Sequence, residues 1–142
     1  MLISSILRRK GSTVATVPPE ATVTELLAVL AEHNIGAVVV SEDGVSIAGI
    51  VSERDVVRQL HAKGPAVLAE PVSAIMTTQV RTCAPETDLD DLRATMTDHR
   101  IRHVPVMHDG RLLGIVSIGD VVKSAIEELE AEKAHLVGYL HG

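Results

Sequence analysis

The sequence predicts an α/β fold of mixed α+β type, built from two tandem β-α-β-β-α repeats packed about a pseudo-twofold axis. Three observations predict it. Gly49-Ile50-Val51-Ser52-Glu53-Arg54-Asp55-Val56-Val57 returns 65 residues later as Gly114-Ile115-Val116-Ser117-Ile118-Gly119-Asp120-Val121-Val122, identical at seven of nine positions; self-similarity of this kind governs every later assignment. Ahead of each copy, apolar residues recur at helical spacing. Between that helix and the motif, each copy carries apolar runs split by an Asp-Gly turn. A unit of about 60 residues buries only about 60% of its unfolded surface, so the two copies are expected to share a core.

The elements follow in order. Leu2, Ile3, Ile6 and Leu7 give residues 2–9 one apolar side, which predicts a short helix. Val72 to Met76 matches it as the lead-in to the second copy. Lys10-Gly11-Ser12 breaks the helix, and the β-branched Thr13 to Val17 favours a strand that Pro18-Pro19 ends. Thr22-Val23-Thr24-Glu25 has the spacing of a capping box, followed by Leu26, Leu27 and Leu30 on one face; Asp88 and Asp91 do the same ahead of Leu92 and Met96. Ile35 to Val40 suits a buried strand, Glu42-Asp43-Gly44 a turn, and Ile47 to Val51 the returning strand. Ile101 to Met107, Asp109-Gly110 and Leu112 to Val116 repeat that pattern. The short turn implies an antiparallel hairpin, and the strand-helix-strand connection a right-handed parallel crossover. Asp120 opens a longer last helix. Its apolar stripe, reaching Leu136, Val137, Tyr139 and Leu140, exceeds what one small unit covers and suggests a partner surface.

Composition narrows the function. The chain has 142 residues, no Phe or Trp and one Tyr, so its core is aliphatic and a planar ligand would lie between Ile, Val and Met side chains. A net charge of −6 argues against nucleic acid, which demands a basic footprint. The single Cys83 excludes an intrachain disulfide and suits a reducing compartment. No apolar run is long enough to span a membrane, and the charges of the first ten residues follow the apolar part, the wrong order for a signal peptide. These features point to a soluble, cytoplasmic protein.

Ser52-x-x-Asp55 and Ser117-x-x-Asp120 stand at strand-to-helix junctions. Taken singly, each is a helix cap: the hydroxyl takes a free amide and the carboxylate favours the positive end of the helix dipole. Taken together they suggest more. They lie at the C-terminal ends of strands, where open α/β sheets bind ligands, and they occur twice. A carboxylate accepts the hydroxyls of a vicinal diol, and Arg102, next to His103, can hold a phosphate by paired hydrogen bonds. Diol acceptor, anion clamp and aliphatic slot describe a ribonucleotide with a purine base.

The repeat order, Gly-Ile-Val-Ser-x-x-Asp in each copy and Arg102-His103-Val104-Pro105-Val106 resemble cystathionine-β-synthase (CBS) domains. The resemblance spans about residues 2–126 and is closest to stand-alone proteins made of one CBS pair, a Bateman-type module. It implies repeat 1 at 1–62, a linker at 63–71, repeat 2 at 72–126, and a helical extension at 127–142 as a dimer contact. It further implies two clefts that take adenine nucleotides, AMP foremost, then ATP, ADP or NAD, and in some members S-adenosylmethionine. In the expected main cleft Asp120 and Ser117 hold the ribose, Arg102 and His103 the phosphate, and Ile115 the base. Ala15, Ile35 and Gly36 close the far wall, and the turn at Lys10 reaches the phosphates. The second cleft uses Asp55, Ser52, Ile50, Arg81 and Ile101. There Gly36-Ala37 replaces the Arg-His pair and Arg54 is the substitute clamp, so this cleft is expected to be the weaker.

The function expected is a regulatory homodimer that senses an adenine nucleotide and acts on a partner protein. Two alternatives stand beside it: a purely structural dimeriser whose Ser-x-x-Asp motifs only cap helices, and an enzyme using NAD or another nucleotide. The chain offers no nucleophile with its base and no metal-ligand set, so catalysis is not expected. His99 and His103, four apart, would suit a metal on one helix, but a helix end is expected between them. Cys83 reads as an inert thiol.

Overall fold

The computed structural model describes residues 1–11 and 14–141. The first repeat contains α1 (Ile3–Lys10), β1 (Thr16–Val17), α2 (Val23–His33), β2 (Ala37–Val40), β3 (Gly49–Ser52) and α3 (Glu53–Lys63). After 3-10 turns at Pro65–Ala69 and Val72–Ala74 come α4 (Leu89–His99), β4 (His103–His108), β5 (Arg111–Ser117) and α5 (Ile118–His141). Ser12 and Thr13, part of the expected turn and strand, lie outside the described residues, as does Gly142. Among the described residues no helix is long and apolar enough to cross a membrane.

In the first repeat β1 runs parallel to β2 and β3 antiparallel to it, with Val17 opposite Val40 and Val38 opposite Val51. In the second, β4 and β5 form the matching hairpin, with Val104 opposite Val116. Its first strand shrinks to one parallel bridge, Cys83 with Val106. Pro105 stands where Val39 does in the first repeat and has no amide hydrogen to extend the ladder towards Thr82. The helix starts also differ. Thr22 and Glu25 form the expected reciprocal capping box, whereas Asp88 accepts the amide of Asp90 at 3.1 Å and Asp91 takes no part in the cap.

The expected shared core is replaced by two cores that exchange an element. Val17, Val23, Leu26, Leu30, Val38, Val40, Val51 and Val56 of the first repeat enclose Val72 and Ile75, which belong to the lead-in of the second. Conversely, Ile3 and Ile6 of α1 are buried among Leu89, Leu92, Met96, Val104, Val106, Val116 and Val121. A small unit short of apolar surface thus completes its core with its neighbour's first segment, and neither core is built from its own repeat's residues alone.

The first glycine of each repeated motif makes room for this exchange. A Cβ at Gly49 would lie 2.7 Å from Met76 Sδ and 2.8 Å from the Thr77 carbonyl oxygen; at Gly114 it would lie 2.6 Å from Leu7 Cδ2. Thr77 then closes the first sheet's edge, exchanging two backbone hydrogen bonds with Ile50 at 2.8 and 2.9 Å. Arg9 ties α1 to α5 by an ion pair with Glu127 and a 3.2 Å hydrogen bond to the buried Ser124. The two hairpins also touch, since Leu112 donates its amide to the carbonyl of Val45 at 2.8 Å.

Candidate functional site

Both Ser-x-x-Asp motifs form the predicted caps. Asp55 Oδ2 accepts the Ser52 amide at 2.8 Å and its hydroxyl at 3.0 Å, while Ser52 Oγ accepts the Asp55 amide at 3.3 Å. Asp120 Oδ2 accepts the Ser117 amide at 2.9 Å, and Ser117 Oγ accepts the Asp120 amide at 3.2 Å. The next amide of each helix is met from the neighbouring strand: Glu53 donates to the Gly36 carbonyl at 3.0 Å and Ile118 to the Arg102 carbonyl at 2.8 Å. Locally the two junctions are the same machine.

Their surroundings differ. A cavity of about 620 Å³ opens beside Asp55 at the junction of the repeats. Its first-repeat wall is Gly36 and the start of β2 at Ala37, the end of β3 at Ile50 and Ser52, and the opening turns of α3. The second repeat supplies Thr77, the segment ending at Arg81, and His99 to His103. All six residues expected of the second cleft, Asp55, Ser52, Ile50, Arg54, Arg81 and Ile101, come together here. Asp55 Oδ1 accepts no hydrogen bond among the described residues.

Three residues expected beside Asp120, namely Gly36, Arg102 and His103, line this same cavity. Arg102 and His103 are not lost to the Asp120 side, because the strand they lead into lies between the two junctions and His103 feels the charges of Lys10 and Asp120 as well as that of Glu53. The Arg102 carbonyl meets the start of α5, yet the residue also forms part of the wall facing Asp55. His103 lies against Gly36, where an added Cβ would come within 3.3 Å of its ring and of Glu53 Oε1. Burial lowers the His103 pKa from its ordinary value, followed by opposing influences from Glu53, Lys10, Asp120 and Arg102. The imidazole is therefore neutral near pH 7.

On the Asp120 side, Ser117, Ile115 and Lys10 do gather. There Lys10 Nζ binds Asp120 Oδ2 at 2.8 Å and the Ile115 carbonyl at 2.7 Å, so the ammonium is held by the protein's own carboxylate. Ala15 is half-buried just ahead of β1. Ile35 packs against the first core and donates its amide to Leu30, away from Asp120's partners.

Several cavity residues escaped the sequence reading. Arg58 follows Arg54 by four residues, a same-face helical spacing that signals it in retrospect. Arg100 ends α4 in the left-handed conformation, φ 54°, where the first repeat has Asn34 at φ 50°; no local pattern announces an arginine there. His99 and His103 both reach the wall, but one ends α4 and the other begins β4. Among the described residues no group of three or more His, Cys, Asp or Glu could hold a metal ion. Burial raises the Cys83 thiol to about 11, which leaves it mostly protonated and unreactive at neutral pH.

A family model described as the CBS domain matches residues 3–62 and again 72–127. The chain is 35% identical to the mitochondrial CBS domain-containing protein CBSX3 of Arabidopsis thaliana, over 99% of this chain and 72% of that one. The structure of the CBS-domain containing protein ATU1752 from Agrobacterium tumefaciens superposes with a TM-score of 0.85 at 43% identity, over 88% of this chain and 99% of that one. The CBS domain pair of protein MJ0100, in complex with 5′-methylthioadenosine and S-adenosyl-L-methionine, shares the fold with a TM-score of 0.80 at 23% identity, over 90% of this chain and 98% of that one.

Proposed function

This chain belongs to the CBS domain family as a tandem pair, and from that membership we propose a regulatory module that takes an adenine nucleotide into the Asp55 cavity and passes the change to a partner protein. The observation that carries the reading is the cavity's double ownership: its walls are drawn from both repeats. A ligand there ties the end of β3 and the start of α3 to the α4–β4 junction of the other repeat. It biases any pair of arrangements that differ at that seam. Pockets of this volume suit a nucleotide-sized ligand.

The side chains divide the ligand between them. The free Asp55 Oδ1 suits a ribose hydroxyl, a good acceptor for a donor and a poor neighbour for a phosphate. Ile50 and Ile101 offer the aliphatic slot for a base. Arg54, Arg81 and Arg102 suit phosphate oxygens. The MJ0100 pair holds adenosyl compounds in its own complexes, so the fold accommodates an adenosine; for this chain the reading rests on the cavity. On the Asp120 side Lys10 already covers the equivalent carboxylate, which makes Asp55 the primary site. The α5 stripe, exposed at Val122, Ile126, Leu129, Leu136 and Leu140, supports a homodimer with a second copy as the covering surface.

Thermal unfolding against millimolar AMP, ADP, ATP, NAD and S-adenosylmethionine tests the function. A ligand at about a hundred times its dissociation constant adds roughly 2.7 kcal/mol, on the order of 5–10 °C for a chain of this size. The shift should vanish in Asp55→Ala and survive in Asp120→Ala. No shift with any ligand, together with a loss of about 1 kcal/mol in Asp55→Ala, would mean that the motifs are caps and the protein a structural dimeriser.

A further inference from the structure

We propose that the cavity selects its ligand by the length of a polyphosphate chain, so that a nucleoside triphosphate binds ahead of the diphosphate and both ahead of the monophosphate. The inference rests on the nucleotide reading above for the base and ribose, and on separate observations for the phosphates.

Five of the chain's nine arginines, Arg54, Arg58, Arg81, Arg100 and Arg102, line this one cavity in a protein of net charge −6. Among the described residues none of the five makes an ion pair or a side-chain hydrogen bond. Of the eight lysines and arginines elsewhere, four are paired among the described residues: Arg9 with Glu127, Lys10 with Asp120, Lys63 with Glu70 and Arg93 with Asp90. Against the five guanidinium groups the wall sets only Glu53 and Asp55, and His103 is neutral. The cavity lining thus carries an excess of about three positive charges. Like charges gathered in one cleft repel, and they raise the local potential for an anion that enters.

The arrangement also argues against a single phosphate as the whole answer. Arg54 and Arg58 lie one turn apart on α3, Arg81 lies on the segment before α4, and Arg100 and Arg102 flank the end of α4. Each guanidinium forms a planar fork that saturates one phosphate edge. A monophosphate satisfies the forks of one wall, whereas a chain of phosphates carries charge across to the others.

Titration calorimetry with adenosine, AMP, ADP, ATP and inorganic tripolyphosphate, at fixed ionic strength and without magnesium, tests the inference. We expect affinity to rise about tenfold with each phosphate, as one charge-assisted pair contributes, and tripolyphosphate alone to compete with ATP. Arg100→Gln combined with Arg102→Gln should weaken ATP at least tenfold and bring the ATP-to-AMP ratio towards one. AMP binding as tightly as ATP would overturn the inference while leaving the nucleotide reading intact. Tripolyphosphate binding with no preference for adenosine compounds would do the reverse. An oligonucleotide that displaces ATP at lower concentration than ATP itself requires would overturn both.

Discussion

Lys10 is locked to Asp120, its Nζ 2.8 Å from Oδ2 and 2.7 Å from the carbonyl of Ile115. In the first repeat the equivalent carbonyl, that of Ile50, is met by the Thr77 amide at 2.8 Å. One repeat therefore closes its edge with backbone and keeps its motif carboxylate open to a cavity. The other closes it with a side chain that also covers the carboxylate. This difference breaks the symmetry of two junctions whose caps are alike.

The pair makes a prediction about acid stability. Burial alone would raise the Asp120 pKa, but the hydrogen bonds from Lys10 and the Ser117 amide and the charge of Lys10 outweigh it and hold the value below the ordinary one. A carboxylate with a depressed folded pKa contributes stability above its unfolded pKa, near 3.9, and loses that contribution as pH falls through the folded value. Lys10→Met should therefore lower the melting temperature at pH 7 and flatten the acid limb below about pH 4. Melting curves from pH 2 to 7 that run parallel for the two proteins would show that the pair contributes nothing.

Substitutions at the paired glycines should differ in cost. A methyl at Gly49 meets the Thr77 carbonyl oxygen, backbone already held by its bond from the Ile50 amide. At Gly114 it meets only the end of the Leu7 side chain, which can change rotamer. Overpacking of this kind costs about 1–3 kcal/mol, so Gly49→Ala should fall at the upper end and Gly114→Ala near the lower. Urea midpoints at equal slope measure the difference, and equal losses would contradict it.

Much of this was legible in the sequence because the information is local and repeated. The Ser-x-x-Asp caps, the helix after Thr22 and both hairpins follow from patterns of two to four residues, and the second copy doubles each signal. Of the cavity's six expected residues, Ile50, Ser52, Arg54 and Asp55 lie in the repeated motif itself, whereas Arg81 and Ile101 were placed by the family resemblance and by no local pattern. What escaped is long-range. No spacing says that Ile3 and Ile6 are buried in the second core while Val72 is buried in the first. Nor does any pattern say that Lys10, more than a hundred residues from Asp120, would cover it. Arg102 and His103, expected on the Asp120 side, also line the wall facing Asp55, because the strand they lead into borders both junctions.

His103 sets a second pH dependence, separate from that of Asp120. Burial is the largest influence on its lowered pKa, and the field of Glu53 opposes it only in part. The unfolded residue takes up a proton near pH 6.5, the folded one only at lower pH, so stability is full above that range and declines as pH falls through it. His103→Gln should lessen the fall in melting temperature between pH 7 and 5 relative to the native protein. An unchanged slope would mean that the ring gains water or a partner on protonation.

The stripe on α5 makes the last prediction. Val122, Ile126, Leu129, Lys133, Leu136 and Leu140 recur at alternating steps of four and three, the spacing of a two-helix seam. The apolar members are at least half exposed, from 50% at Val122 to 78% at Leu140, a surface too apolar and too regular for solvent. A second copy offers the same stripe, so the proposed homodimer would pair it by symmetry. Leu129→Glu or Leu136→Glu should shift sedimentation from dimer to monomer without loss of the helical signal from the two cores. Lys133 is the informative exception. A lysine at one seam position lowers stability and selects a register, so Lys133→Leu should tighten the dimer while admitting other registers or larger assemblies. A native protein that sediments as a monomer at high micromolar concentration would overturn the homodimer.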